Sequence, residues 1–439
     1  MRLLILSFSY APRANPRATR WTTLAEEFAR TGHSVLVVTS WQQGLPEQET
    51  VNGVQIYRVG MQSLEHLRRT LSANRPAGTD KAVAGAVPTE AMAQGGMVLR
   101  LLKTLNQYIW RKLWWPDSTC IWLRSALNTA RRLLAEQPAD AVISVSPTFS
   151  AVVAGHLLAR NRELCKRWII DLGDPFSFME QALPNNAFLY GGLNRWFEKR
   201  AFLRADGISV TTDGTREMYA RLYPACAGKI AVIPPLLSPP PAPAVSGPFF
   251  RNHGATRLVF IGTLYRHLRR PDYLLQLFSA MLETHPEFNG ELHLIGETHE
   301  CRESLVFYQQ RLGNRLVVHG PVDRSMAAQA MSEADILVNL GNETAFQLPS
   351  KLVEYAATGK RIVNISSLAS DSSTDFLGSY PAALCLQDQG AVPSAGQVLE
   401  FAAFCEDRSR YGIDASALEG FLRPFSLQAV AGHYGSLLA

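Results

Sequence analysis

The sequence predicts an α/β protein with two doubly wound domains, each built on a parallel sheet. Short apolar segments alternate with amphipathic helical segments in two series, which is typical of strands and crossover helices. A proline-rich stretch at 234–248, PPLLSPPPAPAVSGP, separates the series. The chain has 439 residues, of which 47% are hydrophobic and 18% charged, so it is long enough for two cores.

The first series begins with an apolar strand at 3–8, followed by Asn15-Pro16, a typical helix start. Trp21 and Phe28 then belong to a helical stripe that Gly32 ends. Further strands are predicted at 35–39, 141–145, 168–171, 207–212 and 230–234. Residues 61–96 are polar, rich in Gly and Ala and aperiodic, which predicts a mobile insertion rather than core.

The second series predicts strands at 258–262, 292–296, 316–320, 336–340 and 361–365. The expected domains are 1–234, then a linker at 235–250, then 251–413, with a C-terminal helix at 414–439 that packs back on the first domain. Ligands of doubly wound sheets bind at the carboxyl ends of the strands, so the two domains are expected to face each other across a ligand-binding cleft.

The most informative segment is FQLPSKLVEYAATGKRIV at 346–363. Pro349 suits the turn into a helix and Ser350 is expected at the N-cap. The first N–H groups of a helix lack internal partners and the helix dipole favours anions there, so Lys351 completes a predicted phosphate site. Glu354, one turn later, can accept two hydroxyl hydrogen bonds from a sugar ring. The alternative is an ordinary capped helix whose polar residues face solvent.

Several classes of protein are disfavoured by the sequence. Six cysteines without a CxxC pair fit a reducing compartment and indicate neither a disulfide framework nor a metal site. No GxGxxG motif follows the first strand, which argues against a dehydrogenase. The N-terminus is read as a buried strand, no segment is apolar enough to span a membrane, and no nucleic-acid motif occurs. The formal net charge is +5.

The combination of motifs resembles the donor domain of GT-B glycosyltransferases of family 4. The motifs are Gly262-Thr-Leu-Tyr265 with the arginines that follow, and PSKLVEYAATGK. In the first domain, Pro116-Asp117, Trp122, SVSP at 144–147 and DLGDP at 171–175 resemble a branch of the same family. The resemblance covers most of the chain and implies a GT-B fold.

The resemblance also implies roles for particular residues. The donor-binding candidates are Gly262, Thr263, Arg266, Arg270, His319, Ser350, Lys351 and Glu354. Arg269 is a further candidate for the phosphates, with Arg270 preferred. The first carboxylate of the family's E-x7-E pattern is replaced by Phe346, and Glu343 is its nearest substitute.

On the acceptor side, Asn15, Arg17 and Arg20 lie in the loop and helix start after the first strand, where Arg13, Arg17 and Arg20 would form an electropositive rim. The catalytic candidates are Asp174 and Asp171, with Asp174 preferred for orienting or deprotonating the acceptor hydroxyl. Asp174 could instead cap a helix. Gly173 stands where many relatives carry a histidine.

The implied reaction is transfer of a hexosyl group, with retention, from a UDP-sugar or GDP-sugar to a glycan or a polyprenyl-diphosphate-linked acceptor. No cofactor and no metal are expected, since Lys351, an arginine and a helix start can stabilise the leaving diphosphate. Alternatives are a sugar-nucleotide epimerase or hydrolase, and a non-catalytic nucleotide-binding relative. Basic and aromatic residues interleave at 97–134, which suits either a membrane interface or a domain core. A cytoplasmic location, peripheral on the inner face of the plasma membrane, is the expectation.

Overall fold

The structure is a computed structural model in which each of two compact units has its own largely parallel sheet. It describes residues 1–13, 15–60, 113–179, 185–237, 247–250, 254–266, 269–341, 344–390, 392–407 and 410–439. The first unit contains Met1–Val210, Tyr219–Ala231 and Tyr434–Ala439, and the second contains Thr211–Met218 and Val232–His433. The domain limits predicted from the sequence do not coincide with these units, and they stay predictions.

The first sheet has eight strands in the order β3-β4-β2-β1-β5-β6-β7-β8. The strands are β1 (Arg2–Leu6), β2 (Ser34–Ser40), β3 (Gln48–Val51), β4 (Val54–Val59), β5 (Ala139–Ser146), β6 (Cys165–Leu172), β7 (Gly207–Val210) and β8 (Ile230–Val232). β1 pairs in parallel with both β2 and β5, so the strand order reverses at β1. β3 pairs antiparallel with β4 at the edge. The sequence did not predict β4, or β3, which has four residues and no buried side chain.

The helices that precede the second sheet follow the predicted pattern. They are α1 (Pro16–Arg30), α2 (Cys120–Glu136), α3 (Phe149–Leu158), α4 (Ala187–Arg204) and α5 (Asp213–Leu222). The side chain of Asn15 caps α1 by accepting a hydrogen bond from the Ala18 N–H at 2.9 Å, as the Asn15-Pro16 pair predicts.

The described part of the 97–134 stretch lies partly in α2, and residues 97–112 lie outside the described residues. Trp122 and Leu134 are buried in the first unit, whereas Arg124 and Arg131 are exposed. The apolar side of α2 is therefore part of a protein core, and its arginines are solvated. Within the described residues no helix is long and apolar enough to cross a membrane.

The second sheet has six strands in the order β11-β10-β9-β12-β13-β14. They are β9 (Thr256–Ile261), β10 (Gly290–Ile295), β11 (Leu316–Gly320), β12 (Ile336–Leu340), β13 (Arg361–Ser366) and β14 (Ala383–Gln387). The pairs β9–β10, β9–β12, β10–β11, β12–β13 and β13–β14 are parallel. The order reverses between β9 and β12, which makes the carboxyl ends of these two strands the topological switch point.

The helices of this half of the chain are α6 (Asp272–Thr284), α7 (Arg302–Leu312), α8 (Arg324–Glu333), α9 (Ser350–Ala357), α10 (Ser372–Leu377), α11 (Ala395–Glu406), α12 (Ala415–Leu422) and α13 (Leu427–Leu438). The sequence predicts one helix from 414 to 439, but the structure has two. A 3-10 turn at Arg423–Phe425 separates them, because Pro424 has no N–H to continue the helical hydrogen bonds. Residues from Tyr434 onward belong to the first unit and the rest of this segment to the second.

Both units place apolar strands between layers of helices. In the second unit, one core cluster includes Leu258, Phe278 and Val363, and another includes Val259, Leu337 and Tyr355. Alternate residues of β9 thus enter opposite clusters, as expected for a strand covered on both faces. The predicted α/β fold with two Rossmann-like domains is confirmed.

Candidate functional site

A cavity of about 430 Å³ opens in the second unit at the switch point between β9 and β12. Its lining includes Gly262 and Thr263 after β9, Asn339 in β12, and Lys351 at the start of α9. This volume lies within the range of small-ligand sites. The fold therefore brings four of the predicted donor-side residues to one cavity: Gly262, Thr263, Arg269 and Lys351.

Three glycines follow one another across the carboxyl ends of neighbouring strands. The Gly262 N–H donates to the Ile295 carbonyl at 2.9 Å, and the Gly296 N–H donates to the Gly320 carbonyl at 2.8 Å. Gly296 has φ +125, and a Cβ there would collide with the Gly262 carbonyl. Glycine is thus required at position 296, where β10 ends, and it keeps the backbone open beside the cavity.

Helix α9 begins at Ser350, and Pro349 is its N-cap residue, with φ −59 and ψ 123. This corrects the expectation that Ser350 caps the helix, because Ser350 already has helical backbone geometry as the first residue of α9. Among the described residues no side chain caps α9. The side chain of Ser350 itself lies outside what the structure describes. The helix start next to Lys351 thus keeps the backbone donors that an anion can accept from.

Lys351 is a half-buried cation at the cavity. Burial lowers the pKa of Lys351, Arg269 and Arg324 lower it further, and Glu354 opposes them. Burial likewise lowers the pKa of Arg269. Two cations whose charged forms are disfavoured share one cavity, so a bound anion would stabilise both.

Among the arginines after β9, the structure places Arg269 in the cavity lining, ahead of the preferred Arg270. The backbones of Tyr265 and Arg269 exchange two hydrogen bonds of 3.2 Å, which keeps Arg269 close to the end of β9. Arg266 is exposed, and its guanidinium lies 3.4 Å from the Glu303 carboxylate. Arg270 is exposed.

Tyr355 fixes α9 to the end of β9. Its buried hydroxyl accepts a hydrogen bond from the Ile261 N–H at 2.9 Å and donates to the Ile261 carbonyl at 3.3 Å. The β9–β12 pairing extends to Phe260 and Val338, so the Tyr355 hydroxyl takes over where that ladder stops. This contact holds the helix that carries Lys351 at a set distance from Gly262.

Glu354 is half-buried on α9, one turn after Lys351, and its proposed contact with a ribose stays a prediction. Phe346, at the position of the missing first carboxylate, is held by its backbone. Its carbonyl accepts hydrogen bonds from the hydroxyls of Thr212 at 2.6 Å and Thr215 at 3.2 Å, within the second unit. Glu343 lies outside the described residues.

His319 ends β11 in contact with a second histidine. His319 Nε2 lies 3.0 Å from His293 Nδ1, and His293 Nε2 lies 3.2 Å from the Glu291 carboxylate. Burial and the neighbouring His319 lower the pKa of His293 to about 4, and burial also lowers the pKa of His319. Both rings are therefore neutral at pH 7, and neither histidine is part of the cavity lining.

In the first unit, Asp171 lies at the end of β6 and is only 1% exposed. Its carboxylate accepts four hydrogen bonds of 2.6–2.9 Å, from Arg17, Trp21, Ser209 and Tyr434. Burial alone would raise the pKa of Asp171, but Arg17, Arg20 and the two hydroxyls hold it below the ordinary value. These contacts occupy both carboxylate oxygens, so Asp171 acts as a structural anchor.

The acceptor-side arginines contact the same anchor. Arg17 forms the ion pair with Asp171 at 2.9 Å, and its guanidinium occupies the space that a Cβ at Gly173 would need. A histidine at 173 is thus incompatible with this position of Arg17. Arg20 is buried and donates to the Tyr434 hydroxyl at 3.2 Å, so it lies in the core and not on the predicted rim.

Asp174 is half-buried in the segment that follows β6. The next described helix, α4, begins at Ala187 and is capped by Asn186, so Asp174 does not cap it. Of the two catalytic candidates, Asp174 is the more accessible. Among the described residues no group of three His, Cys, Asp or Glu side chains could hold a metal ion; independence of a metal stays a prediction.

Sequence reasoning missed three residues that shape the cavity. Gly296 and Asn339 line it, and Tyr355 anchors α9. A glycine directly after an apolar strand is a signal for Gly296 that the sequence offers. The contact between Tyr355 and Ile261 joins residues 94 positions apart, and nothing local in the sequence indicates it.

Two glycosyltransferase family models match the chain in succession. Residues 18–235 match a glycosyl transferase 4-like domain, and residues 255–375 match glycosyl transferases group 1. No curated protein matches the chain in sequence.

Solved structures share the fold over the whole chain. Sucrose-phosphate synthase from Thermosynechococcus elongatus is 15% identical, with 99% of this chain and 98% of that one covered at a TM-score of 0.58. WaaG, a glycosyltransferase involved in lipopolysaccharide biosynthesis, is 13% identical, with 100% and 99% covered at 0.54. HepE of Anabaena, solved in complex with UDP-glucose, is 12% identical, with 100% and 99% covered at 0.54. At these identities the likeness shows the fold alone.

The two matched domains cover most of the chain, and the fold agrees with them. The chain is a transferase that belongs to the GT-B glycosyltransferases. Within that class it is family 4-like, as the sequence resemblance implies.

Proposed function

We propose that this glycosyltransferase moves a hexosyl group from a nucleotide diphosphate sugar to an acceptor hydroxyl, with retention at the anomeric carbon and without a metal ion. The observation that carries the proposal is the approach of Lys351 and Arg269 to one cavity at the β9–β12 switch point. The acceptor is proposed to be a lipid-linked or polysaccharide-precursor glycan, and the location cytoplasmic, at the membrane surface.

The donor is proposed to lie with its diphosphate between the start of α9 and the turn after β9. Lys351 supplies a full charge, α9 supplies backbone donors, and Arg269 supplies a planar guanidinium suited to phosphate oxygens. Glu354 then accepts hydrogen bonds from the ribose hydroxyls. Because HepE, a protein of the same fold, was solved with UDP-glucose, a UDP-sugar is the first donor to test.

The bond that breaks joins the anomeric carbon to the oxygen of the terminal phosphate, and the nucleoside diphosphate leaves with the bonding electrons. The new bond joins the anomeric carbon to the acceptor oxygen, whose proton is released. Negative charge develops on the leaving oxygen during the reaction. Lys351 and Arg269 stabilise this charge from positions that they already occupy before the reaction. Asp174 is proposed to orient the acceptor hydroxyl or to accept its proton. Retention rests on the resemblance to family 4.

The proposal is tested by calorimetric titration with UDP, GDP and ADP. One nucleotide should bind the wild-type chain selectively, and Arg269→Ala should weaken its binding about 10-fold or more, because a charge-assisted hydrogen bond contributes roughly 1.5–3 kcal/mol. Arg266→Ala is the matched control, since Arg266 is exposed, pairs with Glu303 and does not line the cavity. Its affinity should change less than about twofold. Binding of no nucleotide, or equal losses in both variants, would reject the proposed donor site.

A further inference from the structure

Helix α4 carries apolar side chains both on its buried side and on its exposed side. One side packs in the first unit through residues such as Ala201 and Phe202, which are fully buried. The other side exposes five large apolar side chains, called here the α4 stripe: Phe188, Leu189, Leu193, Trp196 and Leu203. Phe188 is 96% exposed and Trp196 is 53% exposed.

The α4 stripe follows helical spacing. Leu189, Leu193, Trp196 and Leu203 are separated by four, three and seven residues, so they lie along one line of the helix. Single exposed apolar residues are ordinary, but several that share one face of a helix indicate an interaction surface.

The charges beside the stripe have one sign. Arg195, Lys199 and Arg200 are exposed, and the Arg200 guanidinium lies 5.0 Å from the centre of the Trp196 ring. Glu198, the single acidic residue in the α4 sequence, points the other way: it is fully buried and accepts hydrogen bonds from the Tyr219 and Tyr223 hydroxyls.

More cations lie close to the end of the helix. Burial lowers the pKa of Arg204, and so does repulsion from Arg160, Arg200 and Arg162. Arg162 is paired with Asp206 at 2.7 Å, whereas the exposed cations of α4 itself adjoin the apolar row. The surface therefore combines apolar and aromatic side chains with an excess of positive charge, as interfacial helices do.

We propose that the α4 stripe docks on the surface of an anionic phospholipid bilayer. Its apolar side chains would enter the boundary between headgroups and acyl chains, while Arg195, Lys199 and Arg200 contact lipid phosphates. A second copy of the chain is a poorer partner, because a two-fold interface would bring these cations against their own copies.

This surface differs from the 97–134 stretch, where the apolar side of α2, including Trp122 and Leu134, is buried. A membrane-docking surface would bring the enzyme to a lipid-linked acceptor, and in this respect it rests on the proposed function. Vesicle binding needs neither donor nor transfer, and nucleotide binding needs no vesicle, so the two can fail separately.

The test is co-sedimentation of the full chain with vesicles of phosphatidylcholine alone and of phosphatidylcholine mixed equally with phosphatidylglycerol. The wild-type chain should bind the mixed vesicles far better, and added salt should release it. Phe188→Ser with Trp196→Ser, and separately Lys199→Gln with Arg200→Gln, should each reduce partitioning about 10-fold or more. Both should keep the wild-type affinity for nucleotide.

Matched control variants test whether vesicle binding depends on the α4 stripe or on any exposed aromatic or charged residue. Phe307→Ser removes a 57% exposed aromatic from α7, and Arg131→Gln with Arg132→Gln removes two exposed charges from α2. Both should partition as the wild type does. Failure of the wild-type chain to bind mixed vesicles, or equal losses in the controls, would overturn the proposal. It would also be overturned by a dimer in light scattering that Phe188→Ser with Trp196→Ser dissociates.

Discussion

The charged side chains at the carboxyl ends of the two sheets have opposite surroundings. In the first unit, the buried Asp171 balances Arg17 and is hydrogen-bonded by Trp21, Ser209 and Tyr434. In the second unit, Lys351 and Arg269 approach one open cavity, and burial lowers the pKa of each. The same kind of fold therefore carries a closed polar cluster in one unit and, in the other, an open cavity lined by Lys351, Arg269 and Glu297.

The contrast shows how to separate structural charge from functional charge. A buried ion that has its hydrogen-bond partners within the protein contributes to stability. Removing one partner lowers the stability of the fold, because the other partner is left buried without a counter-charge. The charged form of a cation that is partly desolvated at a cavity is stabilised when an anionic ligand binds. Variants of the first cluster should thus affect unfolding, and variants of the second should affect ligand binding.

The largest effect is expected from Asp171→Ala. Loss of this carboxylate leaves Arg17 and Arg20 without their buried counter-charge, so the free energy of unfolding should fall by about 3–5 kcal/mol in denaturant titration. The control is Glu136→Ala, since Glu136 is exposed and lies 3.8 Å from Arg132. It should change stability by less than about 1 kcal/mol.

The stability difference between wild type and Asp171→Ala should depend on pH in one direction. The folded-state pKa of Asp171 is lowered, so its contribution is complete above the unfolded-state pKa of about 3.9 and is lost as pH falls through the folded-state value. A difference that persists unchanged into stronger acid, or Asp171→Ala with wild-type stability, would remove the structural role.

A smaller effect, confined to function, is expected from Glu354→Ala. Losing charge-assisted hydrogen bonds to the ribose should lower kcat/KM by ~30- to 150-fold, equivalent to about 2–3 kcal/mol, in steady-state kinetics. Stability should hardly change, because Glu354 is only half-buried. Glu303→Ala, at an exposed carboxylate beside Arg266, is the control. A loss below about threefold would place the ribose elsewhere.

The smallest effect tests the contact between α9 and β9. Tyr355→Phe and Tyr380→Phe each remove a buried hydroxyl in the second unit, at a cost of about 1 kcal/mol in stability. The Tyr380 hydroxyl donates to the Lys360 carbonyl at 2.8 Å, whereas that of Tyr355 meets Ile261 beside the cavity. Only Tyr355→Phe should weaken nucleotide binding, by roughly fivefold, because Lys351 is then less firmly positioned. Equal nucleotide affinities in the two variants would show that Tyr355 contributes only to packing.

The fold could be predicted largely because strand and helix periods are local signals. The strands at 258–262 and 336–340 match β9 and β12 closely, and the PSK segment does begin a helix. The edge strands β3 and β14 were not predicted, since they have only four and five residues and are partly exposed. The single C-terminal helix was wrong because the effect of Pro424 was overlooked.

The candidate site was predictable where the chemistry lies in one segment. Lys351 follows from the motif, and Gly262 from the strand end. The choice between Arg269 and Arg270 depends on the turn closed by Tyr265, which sequence spacing does not reveal. The role of Asp171 depends on Tyr434, 263 residues away, so only the three-dimensional structure shows that its oxygens are occupied.

The central claim is that the start of α9 holds the donor diphosphate. The most direct measurement is calorimetric titration of the selected nucleotide sugar into wild type, Lys351→Ala and Lys360→Ala, the last being a lysine just beyond the end of α9. The account predicts binding to wild type and Lys360→Ala, and about 10- to 100-fold weaker binding to Lys351→Ala with unchanged thermal stability. Equal affinity in all three proteins would contradict it.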